Sequence, residues 1–393
     1  MNIQKLFGGG KIANKLFVKP FFNRVSFKLY RMFAIPYQIQ IEKEHEESLV
    51  LQNIPNSSLA PLTNNEKKEV RKMFGVLCSK IKHFDELCLF KYYRGFDSRY
   101  VSHYLYLPII AHKLNNYHYT KMLEHKSLLG YLVKSDLNFP YCYVRCVDGE
   151  YYDNEMHQID KEQAIRDCVN HNAIVIKDSV DSAGGKSVEL LRLHTLSDNA
   201  KRKELNRVLS ERRHDFVIQE CIKQHPSLAK FNPTSINTLR VSTLYLNGNY
   251  STLSIILRFG KQGMKVDNWG SGGIMVGVSQ TGQLAKKGFD IKLNEYIEYN
   301  GICFENEILK QIPSLLEKIE KAHTTQFSLC KFIGWDICFN ESNEPVVIEL
   351  NSSQPGIIGE QLCTGPIFGD RTQEVINYCS KKEFKYHRSI FQY

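Results

Sequence analysis

The sequence contains no Cys-x-x-Cys pair. Its eleven cysteines are scattered, with Cys142 and Cys146 the most closely spaced, which gives neither a zinc ribbon nor a disulfide framework. Reduced thiols in the cytoplasm are the expectation. No run approaches the roughly 20 consecutive apolar residues a membrane-spanning helix needs, and the N-terminus lacks the uninterrupted apolar segment of a signal peptide. There is no internal repeat and no low-complexity tract, so repeat architectures are excluded. Acid is missing altogether from residues 1–41, where Lys5, Lys11, Lys15, Lys19, Arg24, Lys28 and Arg31 account for seven of the nine net positive charges. The remaining chain is close to neutral, which disfavours a nucleic-acid channel across the main body.

What is there is an ordinary globular composition: 393 residues, 42% hydrophobic and 24% charged, enough for two or three structural units. Residues 1–60 read as a basic aromatic arm and linker, 61–135 as a mainly helical region, 136–222 as a small α+β unit and 223–393 as a larger one. In the arm, Leu16, Phe17, Phe21, Phe22, Phe27, Tyr30 and Phe33 interleave with the basic residues. That pattern suits an interfacial helix on anionic lipid, a partner surface, or a helix packed on its own protein.

Local signals place the elements. Val70, Met73, Phe74, Leu77 and Ile81 recur at helical spacing. Tyr141 to Val147, Asp148-Gly149 and Tyr151 form a hairpin pattern, and Asp160 with Gln163 caps a helix to about Asn170. Strands are expected at 173–177, 188–193 and 216–219, with a helix over 196–213 between the last two. A stronger hairpin spans Thr238–Leu246 and Tyr250–Phe259 around Asn247-Gly248-Asn249, followed by a Gly-rich loop from Gly260 to Gly273. Helices are expected over 307–325 and 369–380, with a strand pair between them around 341–344.

The chemistry concentrates in Gly334–Asn351. A turn centred between Ser342 and Asn343 pairs 336 with 349, 338 with 347 and 340 with 345. One face then carries Trp335, Ile337, Phe339, Val346, Ile348 and Leu350, and the other carries Asp336 opposite Glu349 with Asn351 alongside. Opposed carboxylates repel unless something positive lies near them. Oxygen donors of this kind suit Mg²⁺ shared with substrate phosphates; a solvated outer face is the alternative.

Three further groups stand out. Lys177 ends a strand and precedes Gly184-Gly185-Lys186, a loop whose amides can approach phosphate, although neither a P-loop pattern nor a following helix is present. A plain hairpin connection would read the same. Phe216 to Ile222, with Gln219 and Glu220, is an apolar strand running into a connection, the kind of edge and slot that adenine requires. Arg240 and Arg258 on the hairpin, with Lys265 in the Gly-rich loop, can clamp phosphate or carboxylate; surface salt bridges are the alternative for the arginines.

Taken in order, Lys126, Lys177, Gly184-Gly185, Gln219-Glu220, the Arg-bearing strands and Asp336 with Glu349-Leu350-Asn351 resemble the ATP-grasp superfamily. The best match is its sugar-transfer associated branch, carried by Ile174–Lys177, Ser235–Val241, Val266-Asp267-Asn268 with Gly272-Gly273, and Gly334–Asn351, over about residues 115–380. The resemblance implies an α+β fold of two subdomains holding a nucleotide between them, after a helical N-terminal region. It implies ATP and Mg²⁺ as cofactors, with Mn²⁺ admitted by the same donors. Lys126, Lys177, Gly184, Gly185 and Lys186 would meet phosphates, and Gln219, Glu220 and Ile222 the adenine. Asp336, Glu349 and Asn351 would hold metal, Arg240 and Arg258 would be catalytic, and Asn237, Asp267 and Asn268 would bind substrate. The acidic ribose contact usual after the hinge is missing, since only Gln224, His225, Ser227 and Lys230 follow. The activity implied is a ligase joining a small or sugar-linked carboxylate to an amine through an acyl phosphate, by analogy in cell-surface polysaccharide biosynthesis. A kinase acting on a hydroxyl and a nucleotide-binding scaffold at the membrane are the competing readings. No nucleic-acid partner is expected, and the cytoplasm, with contact to the inner face of the membrane through residues 1–41, is the expected location.

Overall fold

Two β-hairpins with asparagine- or aspartate-glycine turns seed the two sheets of the computed structural model, which describes residues 59–381 apart from 79–80, 82–83, 134–135, 181–186 and 213–214. The basic arm and Gly184, Gly185 and Lys186 lie outside the described residues. The chain divides into two units, Met1–Ser48 and Leu49–Tyr393; the second is described here.

The second unit begins with helices. Thr63 and Glu66 form a reciprocal cap that opens α1 (Asn64–Phe74). After α2 (Asp85–Arg94) come short turns through Leu114, including a π-helical one at Tyr106–Ala111, then α3 (Tyr117–Glu124) and α4 (Lys126–Leu132).

The first sheet is antiparallel. β1 (Cys142–Val147) and β2 (Glu150–Tyr152) are joined by Asp148 and Gly149 at φ 52° and 82°, the left-handed pair that a two-residue hairpin demands. There follow β3 (Gln158–Ile159), α5 (Lys161–Val169), β4 (Ala173–Asp178), β5 (Glu189–Arg192), α6 (Asp198–Glu211) and β6 (Phe216–Glu220). The strand order is β3-β2-β1-β6-β4-β5. Asp160 caps α5 by accepting from Gln163 N at 2.7 Å, as the spacing predicts. One face packs Val144, Ile174, Ile176 and Ile218 against Ile165, Leu205 and Val208 of the helices. Alternation therefore turns Lys177 and Gln219 to the opposite face.

The second sheet is larger. β7 (Thr238–Leu246) and β8 (Asn249–Phe259) are followed by β9 (Ile274–Val278), β10 (Leu284–Phe289), β11 (Glu295–Tyr296) and a separate small pair, β12 (Glu298–Tyr299) with β13 (Ile302–Cys303). Then come α7 (Ile312–Thr325), β14 (Phe332–Phe339), β15 (Pro345–Asn351), α8 (Ile358–Thr364) and α9 (Thr372–Lys381), and the sheet order is β11-β10-β9-β8-β7-β14-β15. β9 to β11 and α8 carry too short a pattern to be expected from sequence. α7 begins at Ile312 rather than 307 because Pro313 sets its first turn.

α7 covers the face bearing Leu239, Val241, Trp335 and Ile337. The other face is divided along its strands. At one end Leu244, Leu246, Ile256 and Phe332 share a core with α1, α2, α8 and α9. At the other end that face turns polar, and the candidate site lies there.

Candidate active site

The β14–β15 hairpin places Asp336 directly opposite Glu349, and Gly334 opposite Asn351. Toward the turn the pairing departs from expectation: Ile337 meets Val347, Cys338 meets Val346 and Phe339 meets Pro345. The loop has three residues, with Asn343 left-handed at φ 63°, so the register starts one residue off. A bulge between Asp336 and Ile337 restores it. As a correction, Val347 rather than Val346 joins the core with Ile337, and Ile348 is half-buried. Without the bulge, Glu349 would fall opposite Trp335 and face the core. The irregularity is what brings the two carboxylates side by side.

Positive charge does lie beside them. Asp336, 2% exposed, receives Arg240 two-pronged, Nε to Oδ1 at 2.6 Å and Nη2 to Oδ2 at 2.9 Å, and Arg258 Nη2 at 3.0 Å. Burial would raise this carboxyl, but the two guanidinium groups override it and hold it well below the usual carboxylate range. Neither arginine is a surface salt bridge; both are buried. Gly334 leaves room for Arg240, since a Cβ there would lie 3.3 Å from its Cδ.

Glu349 faces the lysines. Lys126 Nζ lies 3.4 Å from Glu349 Oε2, and Lys177 feels both Glu349 and Lys126. Burial lowers the Lys177 ammonium from the ordinary lysine range, Lys126 adds to this and Glu349 opposes it. Lys126 opens α4, whose backbone is tied to the first sheet by Lys126 N to Ser179 O at 2.9 Å and by Arg145 Nε to Ser127 O at 2.8 Å. Glu124, two residues earlier, accepts from Ser352 N at 2.8 Å, Ser353 N at 2.6 Å and Ser353 Oγ at 2.6 Å. The segment carrying Lys126 is thus bolted to the residues that follow Asn351.

The remaining candidates separate. Gln219 is buried on the face shared with Lys177, and Glu220 Oε1 accepts from Tyr141 N at 2.8 Å, closing the end of β6 against β1. Ile222 is half-buried just beyond β6. Asp267 Oδ2 accepts from Thr238 N at 3.1 Å and lies 3.7 Å from Arg258 Nε. Burial raises its carboxyl, Arg258 opposes that and Asp336 adds to it. Asn268 caps the turn at Trp269–Ser271, accepting from Ser271 N. Asn237 is a correction: it is fully enclosed, and its amide donates to Leu228 O at 2.8 Å and Asn232 O at 2.9 Å, so it shapes the loop instead of facing a ligand. Gln224 is likewise spent on Asn237. Lys265 is exposed.

Thr238 and Glu124 take part without having been expected. Thr238 receives Arg258 Nη2 at 2.8 Å, and its place before Arg240 on a strand was the available signal. Glu124 had no sequence signal.

Asn351 Nδ2 donates to Asp336 Oδ2 at 3.2 Å and Glu349 Oε1 at 3.5 Å, so two carboxylates and an amide converge on one another. Among the described residues no three His, Cys, Asp or Glu side chains cluster as a closed metal cage. An open set of oxygen donors beside two lysines fits a divalent cation shared with phosphate.

A sequence model of the family described as sugar-transfer associated ATP-grasp matches residues 110–377. A comparison with curated proteins found no match. Similar solved structures include D-alanyl-alanine synthetase A from Vibrio cholerae, 11% identical over 56% of this chain and 55% of that one, TM-score 0.33. Another is the biotin carboxylase domain of 2-oxoglutarate carboxylase from Hydrogenobacter thermophilus, in complex with MgADP, 13% identical over 68% and 48%, TM-score 0.38. A third is an L-amino acid ligase from Bacillus licheniformis, 13% identical over 68% and 50%, TM-score 0.34. The chain spans about half the length of these three proteins.

Proposed function

The chain belongs to the sugar-transfer associated ATP-grasp family, and on that premise we propose that it is an ATP- and magnesium-dependent ligase that joins a carboxylate to an amine. It has the ATP-grasp fold, with a helical region before two α+β units. The observation that carries the reading is the meeting of Lys126, Lys177, Glu349, Asp336 and Asn351, drawn from three separate stretches of chain.

Asp336, Glu349 and Asn351 would hold Mg²⁺, which when bound neutralises phosphate charge and aligns the transferred group. Lys126 and Lys177 balance the remaining phosphate charge, with burial lowering the Lys177 ammonium and Glu349 opposing it. The face shared by Lys177 and Gln219, with Glu220 and Ile222 at its end, would take the base. Arg258 is held by Thr238 and Asp336 and aimed toward Asp267, which suits stabilising the acid substrate as its oxygen attacks the terminal phosphorus and ADP leaves. The amine then attacks the acyl carbon and phosphate departs. A sugar acid as the carboxylate, in cell-surface polysaccharide biosynthesis, is the reading the family description favours.

ADP release measured over paired sugar acids and amino acids tests this. With hydroxylamine in place of the amine, the acid substrate gives a hydroxamate. A stable phosphate ester instead would make the protein a kinase, and no turnover with any pair would sink the ligase reading.

A further inference from the structure

Glu360, on α8, is 1% exposed, and its carboxylate is only half satisfied. One oxygen accepts from the Ser254 hydroxyl; the other, Oε1, has no hydrogen bond and faces Arg240 Nη1 at 3.8 Å. Tyr106 Oη is also buried without a hydrogen-bond partner and feels the charges of Glu360 and Arg240; burial raises the Glu360 carboxyl, and Arg240, Ser254 and Ser242 oppose this. A buried carboxylate is costly unless its charge is matched and its lone pairs are filled. Among the described residues, the cation within ion-pair reach of Glu360 is Arg240. Arg240, however, spends its two good bonds on Asp336.

Asp336 is also overcommitted. Its Oδ2 accepts from Arg240, Arg258 and Asn351 together. A divalent cation at Asp336 would compete with those guanidinium groups and repel them. Arg240 then needs a second anion, and Glu360 offers an unfilled oxygen on its other side. Gly334 lies against the stem of Arg240, where a Cβ would sit 3.3 Å from Cδ and crowd the side chain.

We propose that Glu360 is a positioning residue that takes up the charge of Arg240 when Asp336 engages a divalent cation, so that Arg240 is shared between two carboxylates on opposite sides. The proposal rests on the assignment of Asp336 to metal. It assigns no contact between Glu360 and substrate; Glu360 acts through Arg240.

The test is calorimetric titration of ADP into the full-length protein with and without Mg²⁺. E360Q keeps an acceptor for Ser254 and removes the charge. Its affinity for ADP alone is expected to stay within about twofold of wild type, while the enhancement by Mg²⁺ falls about tenfold or more. In an R240Q background, E360Q should have no further effect. Full Mg²⁺ enhancement in E360Q, or equal loss of ADP affinity with and without Mg²⁺, overturns the proposal. Should E360Q fail to fold, E360D keeps the charge at longer reach and is expected to lose part of the enhancement; an unchanged enhancement there overturns it equally. Absence of any Mg²⁺ enhancement in wild type would instead count against the metal assignment itself.

Discussion

Asp336 and Glu349 face each other across one rung of a hairpin, yet their substitution should separate cleanly. Removing the Asp336 charge leaves two buried guanidinium groups without their shared counter-ion, so Asp336→Asn is expected to destabilise the fold by about 3–5 kcal/mol, read by denaturant unfolding. Glu349 is half-exposed, so Glu349→Gln should unfold like wild type while Mg-dependent ADP release falls at least about a hundredfold. Wild-type turnover in Glu349→Gln would contradict its role as a ligand. The depressed Asp336 carboxyl contributes stability that is present above about pH 4, the unfolded value, and is lost as pH falls toward its folded value. Unfolding measured from pH 5 to pH 2 should therefore show a shallower decline in Asp336→Asn. At this scale the sequence was legible where alternation fixes a face, as for Asp336 beside Trp335, whereas Glu349 reaches the expected place opposite Asp336 through a bulge that alternation alone does not give. It was silent where a side chain acts from a short helix with no periodic signature, as Glu360 does, and it misjudged Asn237, whose polarity serves the backbone of its own loop.

Helix α7 is fastened to the second sheet by a polar relay inside an apolar layer. Trp335 Nε1 donates to Thr243 Oγ1 at 2.8 Å, Thr243 to His323 Nδ1 at 2.8 Å, and His323 Nε2 to Cys330 O at 2.9 Å. Burial pushes the His323 imidazole down to about 4, with Lys331 adding and Cys330 opposing. The ring is neutral when folded, whereas the unfolded ring takes a proton below about pH 6.5. Stability from this group is complete above about pH 6.5 and declines at up to ~1.4 kcal/mol per unit as pH falls toward about 4. Urea unfolding of His323→Gln between pH 4 and pH 7 is expected to lack that slope; an unaltered slope would place the titration elsewhere. Among elements, the hairpins with paired left-handed turns were readable because two residues dictate their geometry. The β14–β15 bulge was not: a three-residue and a four-residue loop fit the same polar stretch, and packing of Ile337 against Val347 decides between them.

The two sheets together present Lys177 from one and Glu349 from the other, so a ligand held by both should stabilise the whole. At a hundredfold excess over its dissociation constant, MgADP is expected to add about 2.7 kcal/mol and raise the melting temperature by roughly 2–4 °C. Melting curves that ignore MgADP would argue against a shared site. No helix among the described residues is long and apolar enough to cross a membrane. If the basic arm meets anionic lipid, flotation with phosphatidylserine vesicles should be lost on deleting residues 1–41; equal flotation would remove that role. Among the described residues the change from a helical region to strands was legible from the switch between helical and alternating patterns, but which helices cover which face was not, because that depends on contacts far apart in sequence.

One such contact governs how the molecule can be made. Val70, Phe74 and Phe90, near the beginning of the described chain, bury themselves with Leu362, Val375 and Cys379, close to its end. During synthesis the core around Val70, Phe74 and Phe90 is completed only after Leu362, Val375 and Cys379 have been made. A chain cut short before Leu362 would leave that shared core incomplete.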